Sequence, residues 1–150
     1  MTTPIPQLRA LINIDVPDLE AGIAFYTAAL PLHAGRRLGA WAVELLGAEV
    51  PIYLLEKAAG SLAFEQEPTS ESAAVRSYAR HWTPVHLDLV VHELAPAVAR
   101  ARAAGAAVEG ISSHSWGELA LLVDPFGHGF CLIELRGRGY DEITTEASGT

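Results

Sequence analysis

Two short stretches of the chain alternate aliphatic and polar residues, and they lie 75 positions apart. Leu11 Ile12 Asn13 Ile14 Asp15 Val16 Pro17 Asp18 Leu19 superposes on His86 Leu87 Asp88 Leu89 Val90 Val91 His92 Glu93 Leu94. In each copy the aliphatic residues (Ile12, Ile14, Val16; Leu87, Leu89, Val91) recur with period two, the pattern of a strand with one face on a core. An acid follows, Asp18 or Glu93, and then apolar positions at helical spacing: Leu19, Ile23, Tyr26 and Leu30 in the first copy, Leu94, Val98 and Ala101 in the second. An acid suits a helix N-terminus, Pro96 is tolerated in a first turn, and Pro31 and Gly105 stop the two helices.

Three strands are expected after each helix. They run over 34–38, 41–46 and 50–56 in the first copy, and over 106–109, 118–123 and 129–135 in the second. The order is β-α-β-β-β, twice, which makes the fold α+β. Asp124 Pro125 Phe126 Gly127 His128 Gly129 has the Pro and Gly placements of a tight hairpin connection. The 150 residues read as one domain: a module at about 8–57, a polar connection over 58–83 with a helical turn or two near 70–80, a module at about 84–136, and a fraying tail over 137–150. One helix cannot cover both faces of a four-stranded sheet, so the two modules are expected to curve together around a shared cleft. If Ile12, Ile14, Val16, Leu87, Leu89 and Val91 meet the helices, then Leu11, Asn13, Asp15, His86, Asp88 and Val90 face that cleft.

Composition narrows the function. The net charge is −8 and the ten basic residues are scattered, which excludes an electrostatic footprint for nucleic acid. Apolar runs are too short to span a bilayer, and Met1 to Pro6 lack the features of a secretion signal, so a cytoplasmic protein is expected, with no membrane partner. Cys131, the single cysteine, reads as a small buried hydrophobe. Tyr26 and Phe25 read as core, and His114 and His128, at turn or strand-end positions, as solvated. There is no nucleophile elbow and no phosphate-binding glycine loop.

Asp18 Leu19 Glu20 Ala21 Gly22 Ile23 Ala24 Phe25 Tyr26, then Pro84 Val85 His86 Leu87 Asp88, then Asp124 Pro125 Phe126 Gly127 His128 with Glu134, together resemble the vicinal oxygen chelate superfamily of glyoxalase I, extradiol dioxygenases and bleomycin-resistance proteins. The resemblance covers roughly residues 8 to 136. It implies a metal site built from the first and last strands of each module, here Leu11, Glu56, His86 and Glu134, so that His86, Glu134 and Glu56 would hold one divalent ion (Zn, Mn, Co or Ni). Glu134 and Glu56 are then the candidate catalytic carboxylates. Leu11 supplies no ligand, which disfavours extradiol and authentic glyoxalase I chemistry. Leu11, Asn13, His81, Trp82, Asp88 and Trp116 are the candidate ligand-binding residues, Trp82 and Trp116 as a stacking rim and Asp88 as a support for His86. Two function classes follow: a metal-dependent lyase or isomerase acting on a small oxygenated molecule, and a metal-free binder of an apolar or antibiotic-like compound. Chains of this family and length commonly form homodimers.

Overall fold

The computed structural model describes residues 3, 7–64 and 74–145. Its elements are β1 (Ile12–Val16), α1 (Leu19–Ala29), β2 (His33–Leu38), β3 (Ala42–Leu46), β4 (Ile52–Glu56), β5 (Asp88–Val90), α2 (Leu94–Ala104), β6 (Ala107–His114), β7 (Gly117–Val123) and β8 (Gly129–Leu135), followed by a 3-10 turn at Gly139–Glu142. The repeat is real in space. Leu94 stands 75 residues after Leu19, Ala104 75 after Ala29, and the sheets have matching orders, β1-β4-β3-β2 and β5-β8-β7-β6. In each, the strand before the helix runs parallel to the last strand of its module, and every other pairing is antiparallel.

Local chemistry sets the helix ends. Asp18 is extended and its carboxylate accepts the Ala21 N–H at 2.9 Å, an N-cap bond that satisfies a donor the helix leaves orphaned. Pro31 follows the last turn of α1 and has no N–H to continue it. Gly105 ends α2 at φ 122°, where a side chain would be strained, and its N–H returns to Ala101 and Arg102. Gly22 lets α1 lie close on its sheet, since a Cβ there would sit 3.1 Å from Val16 and 3.3 Å from Leu54.

One hydrophobic cluster joins the modules. Phe25, Tyr26 and Ala29 of α1 and Leu94, Val98 and Ala101 of α2 share it with Val16, Leu54, Leu122 and Leu132 from the two sheets. Ile12, Ile14, Leu87, Leu89 and Val91 pack against it, so the period-two assignment of the helix-facing side holds for both first strands. Three details differ from expectation. β6 runs on to His114, past a register shift between Val108 and Gly110, because Gly110–His114 find partners along β7. Residues 74–80 are not helical; Val75 bridges to Leu62 instead, and 70–73 lie outside the described residues. The start of the tail is held by the 3-10 turn, whose Tyr140 packs edge-on against Trp116 at 5.2 Å. Among the described residues no helix is long and apolar enough to cross a membrane.

Candidate functional site

β1 and β5 are edge strands of their sheets, and a cavity of about 360 Å³ lies between β1 and the segment 81–89. Because it occupies the seam, both faces of β1 reach it: Ile12 and Ile14 as well as Asn13 and Asp15. Leu30, Leu87, Leu89 and Phe130 add aliphatic and aromatic wall, and Tyr26, His81, Thr83, His86 and His128 bring polar atoms. An apolar hollow with a few convergent polar groups is the usual form of a small-molecule site.

The polar corner is built by backbone pairing. His81 N–H donates to the Gly127 carbonyl at 2.9 Å and Gly129 N–H to the His81 carbonyl at 3.2 Å, which lays residue 81 alongside the start of β8. Gly127, at φ 87°, makes this approach possible, since a Cβ would stand 2.6 Å from the carbonyl oxygens of Tyr78 and Ala79. The His81 and His128 rings then meet, with His81 Nε2 3.0 Å from His128 Nδ1. His81 Nδ1 lies 3.0 Å from the Ala79 carbonyl oxygen, and His128 Nε2 2.7 Å from that of Asp15 across the seam. The Asp15 carboxylate accepts from Arg76 Nε at 2.7 Å. Tyr78 packs edge-on to His128 and donates to the Lys57 carbonyl; burial and Asp15 push its hydroxyl above the ordinary range.

His86 stands at the other rim. Its Nδ1 is 2.8 Å from Asp88 Oδ1, and Trp82 stacks on its ring with centroids 4.5 Å apart. Cys131, on β8 opposite Asp88, is buried, and burial with the neighbouring Asp88 pushes its thiol up to about 11. The ligand atoms of His86, Asp88 and Cys131 lie within 4.8 Å of one another, the one such group of metal-ligand type among the described residues.

The proposed His86, Glu134 and Glu56 set is therefore not assembled. Glu56 aligns with Val16 in the parallel ladder and shares the parity of buried Leu54, so it points to the helix side, where its carboxylate accepts the Leu19 N–H at 2.8 Å. It lines a separate depression with Trp41, Lys57, Ser61, Leu62 and Arg76. Glu134 has the parity of buried Leu132 and sits across from Glu118, both bound by Arg136 at 3.2 and 3.0 Å. Neither glutamate lines the seam cavity. Of the ligand-binding candidates, Asn13 and His81 line it, whereas Leu11, Trp82, Asp88 and Trp116 do not. Leu11 is 57% exposed beyond the end of β1. Trp116 is taken up at the far end of the β6–β7 hairpin, stacked on His114 at 4.7 Å. His128, read as solvated, is instead half-buried in the cavity wall, because its ring partners, His81 and Asp15, come from two distant parts of the chain. Cys131 was legible only as core; its position on the face opposite Leu132 makes it a neighbour of Asp88.

The glyoxalase-like domain model matches residues 11–133. The chain belongs to this glyoxalase-like family. It is thereby a member of the vicinal oxygen chelate superfamily, whose paired β-α-β-β-β architecture it has. Among solved structures, this glyoxalase-like chain is similar to the fosfomycin resistance protein FosX from Listeria monocytogenes, at 18% identity and TM-score 0.63, over 90% of this chain and 98% of that one. A glyoxalase-related enzyme from Fulvimarina pelagi matches with the same identity and score over 87% and 88%. A bleomycin-binding protein, solved with bleomycin, matches at 19% identity and TM-score 0.56 over 87% and 100%. At these identities the likeness is one of fold. No curated protein matches the sequence significantly.

Proposed function

We propose that this glyoxalase-like domain binds a small organic molecule in the seam cavity and needs no metal ion to do so. The observation that carries the reading is the cavity itself, about 360 Å³ of largely apolar wall with Asn13, His81, His86 and His128 converging on it. The family's metal does not fit the four positions that the resemblance names. Leu11 has no donor atom, Glu56 is committed to the start of α1 and Glu134 to Arg136. Glu56 and Glu134 lose their support as catalytic groups with that metal. The bleomycin-binding neighbour, solved with bleomycin, lends the small-molecule reading a precedent in fold.

A second reading rests on one observation, the grouping of His86, Asp88 and Cys131, whose imidazole, carboxylate and thiol would suit a soft ion such as zinc. Against it, Asp88 already holds His86, and the thiol would have to lose a proton that its surroundings retain. A FosX variant solved with Mn(II) and 1S,2S-dihydroxypropylphosphonic acid is the relevant precedent on that side. The test is a thermal-shift screen of small organic acids, amides and antibiotics, run with and without a strong chelator. Stabilisation that survives the chelator supports the metal-free site; stabilisation that requires added Zn, Mn, Co or Ni overturns it.

The protein is further proposed to be a cytoplasmic homodimer. Exposed Leu11, Val85, Val90 and Ile111 offer apolar surface for a second copy. Light scattering at micromolar concentration giving the mass of one 16.0 kDa chain would count against it.

A further inference from the structure

The ring nitrogens of His81 and His128 are all engaged, and counting their hydrogens leaves a surplus. His81 Nδ1 faces the Ala79 carbonyl oxygen at 3.0 Å, and His128 Nε2 faces the Asp15 carbonyl oxygen at 2.7 Å. A carbonyl oxygen only accepts, so each of these two nitrogens carries a hydrogen. A neutral imidazole has one N–H and one lone pair. Two neutral rings would thus turn lone pairs toward each other at His81 Nε2 and His128 Nδ1, which stand 3.0 Å apart. That separation is a hydrogen-bond distance. It is also shorter than the roughly 3.3 Å between two nitrogens on one tetrahedral zinc with bonds of about 2.0 to 2.1 Å. A proton fits between the rings where an ion does not.

We propose that His81 and His128 share one proton, three hydrogens on four ring nitrogens, and that this monocationic pair makes the seam cavity selective for a small monoanion: a carboxylate on an apolar body. The ligand class rests on the reading of the cavity as a binding site; the proton count does not. The other charged groups around the pair already have partners. No Lys or Arg lines the cavity, so the pair is its main source of positive potential. Asp15, the carboxylate in the wall, is closed off by Arg76 at 2.7 Å. Arg80 is held by Glu109 and the His81 carbonyl, and His86 by Asp88. Tyr78 and His128 meet edge to face, with ring centroids 6.0 Å apart. Asp124 is engaged as well, accepting the His128 backbone N–H at 2.9 Å together with the Phe126 N–H and the Tyr26 hydroxyl. The remaining wall, including Ile12, Ile14, Leu87 and Leu89, suits an alkyl or aryl body.

Two measurements separate the parts. Long-range ¹H–¹⁵N NMR of the labelled full chain at neutral pH counts ring hydrogens directly. The expected result is a hydrogen on both outer nitrogens and a shared, averaged signature on the facing pair. Two neutral rings, or facing nitrogens that change on adding a chelator, would overturn the shared proton. Binding of octanoate, octanamide and octylamine is then compared by calorimetry. Octanoate should bind at least about tenfold more tightly than octanamide and octylamine least of the three, with His81→Gln levelling the first two. Equal binding of octanoate and octanamide by the unaltered chain would overturn the anion preference and leave the cavity in place. Failure of all three would remove the cavity as the binding site and the ligand class with it, while the proton count stands on the NMR result alone.

Discussion

The Tyr26 hydroxyl donates to the buried Asp124 carboxylate across 98 residues of chain, tying α1 of the first module to the β7–β8 turn of the second. The same carboxylate accepts the backbone N–H groups of Phe126 and His128 at 2.8 and 2.9 Å, so one side chain both shapes the turn and fastens the modules. Burial and Asp124 raise the Tyr26 hydroxyl well above its ordinary range, which keeps it a donor at physiological pH.

Removing the donor should cost less than removing the acceptor. Tyr26→Phe deletes one hydrogen bond and is expected to lower unfolding stability by about 1–2 kcal/mol. Asp124→Ala leaves three donors without their acceptor in a buried site and should cost more, about 3 kcal/mol or above. Urea unfolding of both variants measures this. Equal losses would mean that the turn does not depend on the carboxylate.

Glu56 acts on the helix. Its carboxylate accepts the first N–H of α1, so Glu56→Ala should lower stability by about 1 kcal/mol, in the range of a lost cap. It should leave metal content and ligand affinity unchanged. Atomic emission analysis after dialysis, alongside urea unfolding, tests both halves; a metal retained by the unaltered chain and lost in Glu56→Ala would restore the ligand role that sequence resemblance implied.

Cys131 carries a pH signature. Its thiol is pushed from 9.0 to about 11 by burial and by Asp88, so the native state holds the proton more tightly than the unfolded chain does. The stabilising contribution is complete below about pH 9 and is lost as pH rises toward 11, since the unfolded thiol ionises first. Unfolding stability measured from pH 8 to 11 should therefore fall less steeply in Cys131→Ala than in the parent chain. Thiol reagents should also label the native protein slowly at neutral pH; rapid labelling would show the thiol to be accessible and ionised.

Gly127 supports the polar corner. At φ 87° with two carbonyl oxygens 2.6 Å from a Cβ position, Gly127→Ala should cost about 1–3 kcal/mol and displace residues 78–81 from the β8 turn. The His81 and His128 ring signals would then separate in NMR spectra. A native-like spectrum in this variant would mean that the close approach is not required.

Much of the fold was legible because period two and helical spacing are local properties. Ile12, Ile14, Leu87 and Leu89 reveal the helix-facing side without reference to anything distant, and Asp18 and Gly105 mark helix ends within a few residues. The site was harder. On the last strands Glu56 shares parity with Leu54, and Glu134 with Leu132, so the same alternation that orients β1 turns both glutamates toward the helix side. His128 was not recoverable in the same way, because its partners are Asp15 and His81, 113 and 47 residues away, and its burial depends on how the connection lies against β8. The seam itself has no local signature: it exists because β1 and β5 are both edges, and it admits Ile12 and Asn13 alike.

The central claim is that ligand enters the seam between the modules and not the opposite sheet face, and methyl-labelled NMR decides between them. With octanoate as probe, the account predicts intermolecular NOEs to the methyl groups of Ile12, Ile14, Leu87 and Leu89. NOEs confined to Leu11, Val90 and Leu135, exposed methyls outside the cavity, would contradict it.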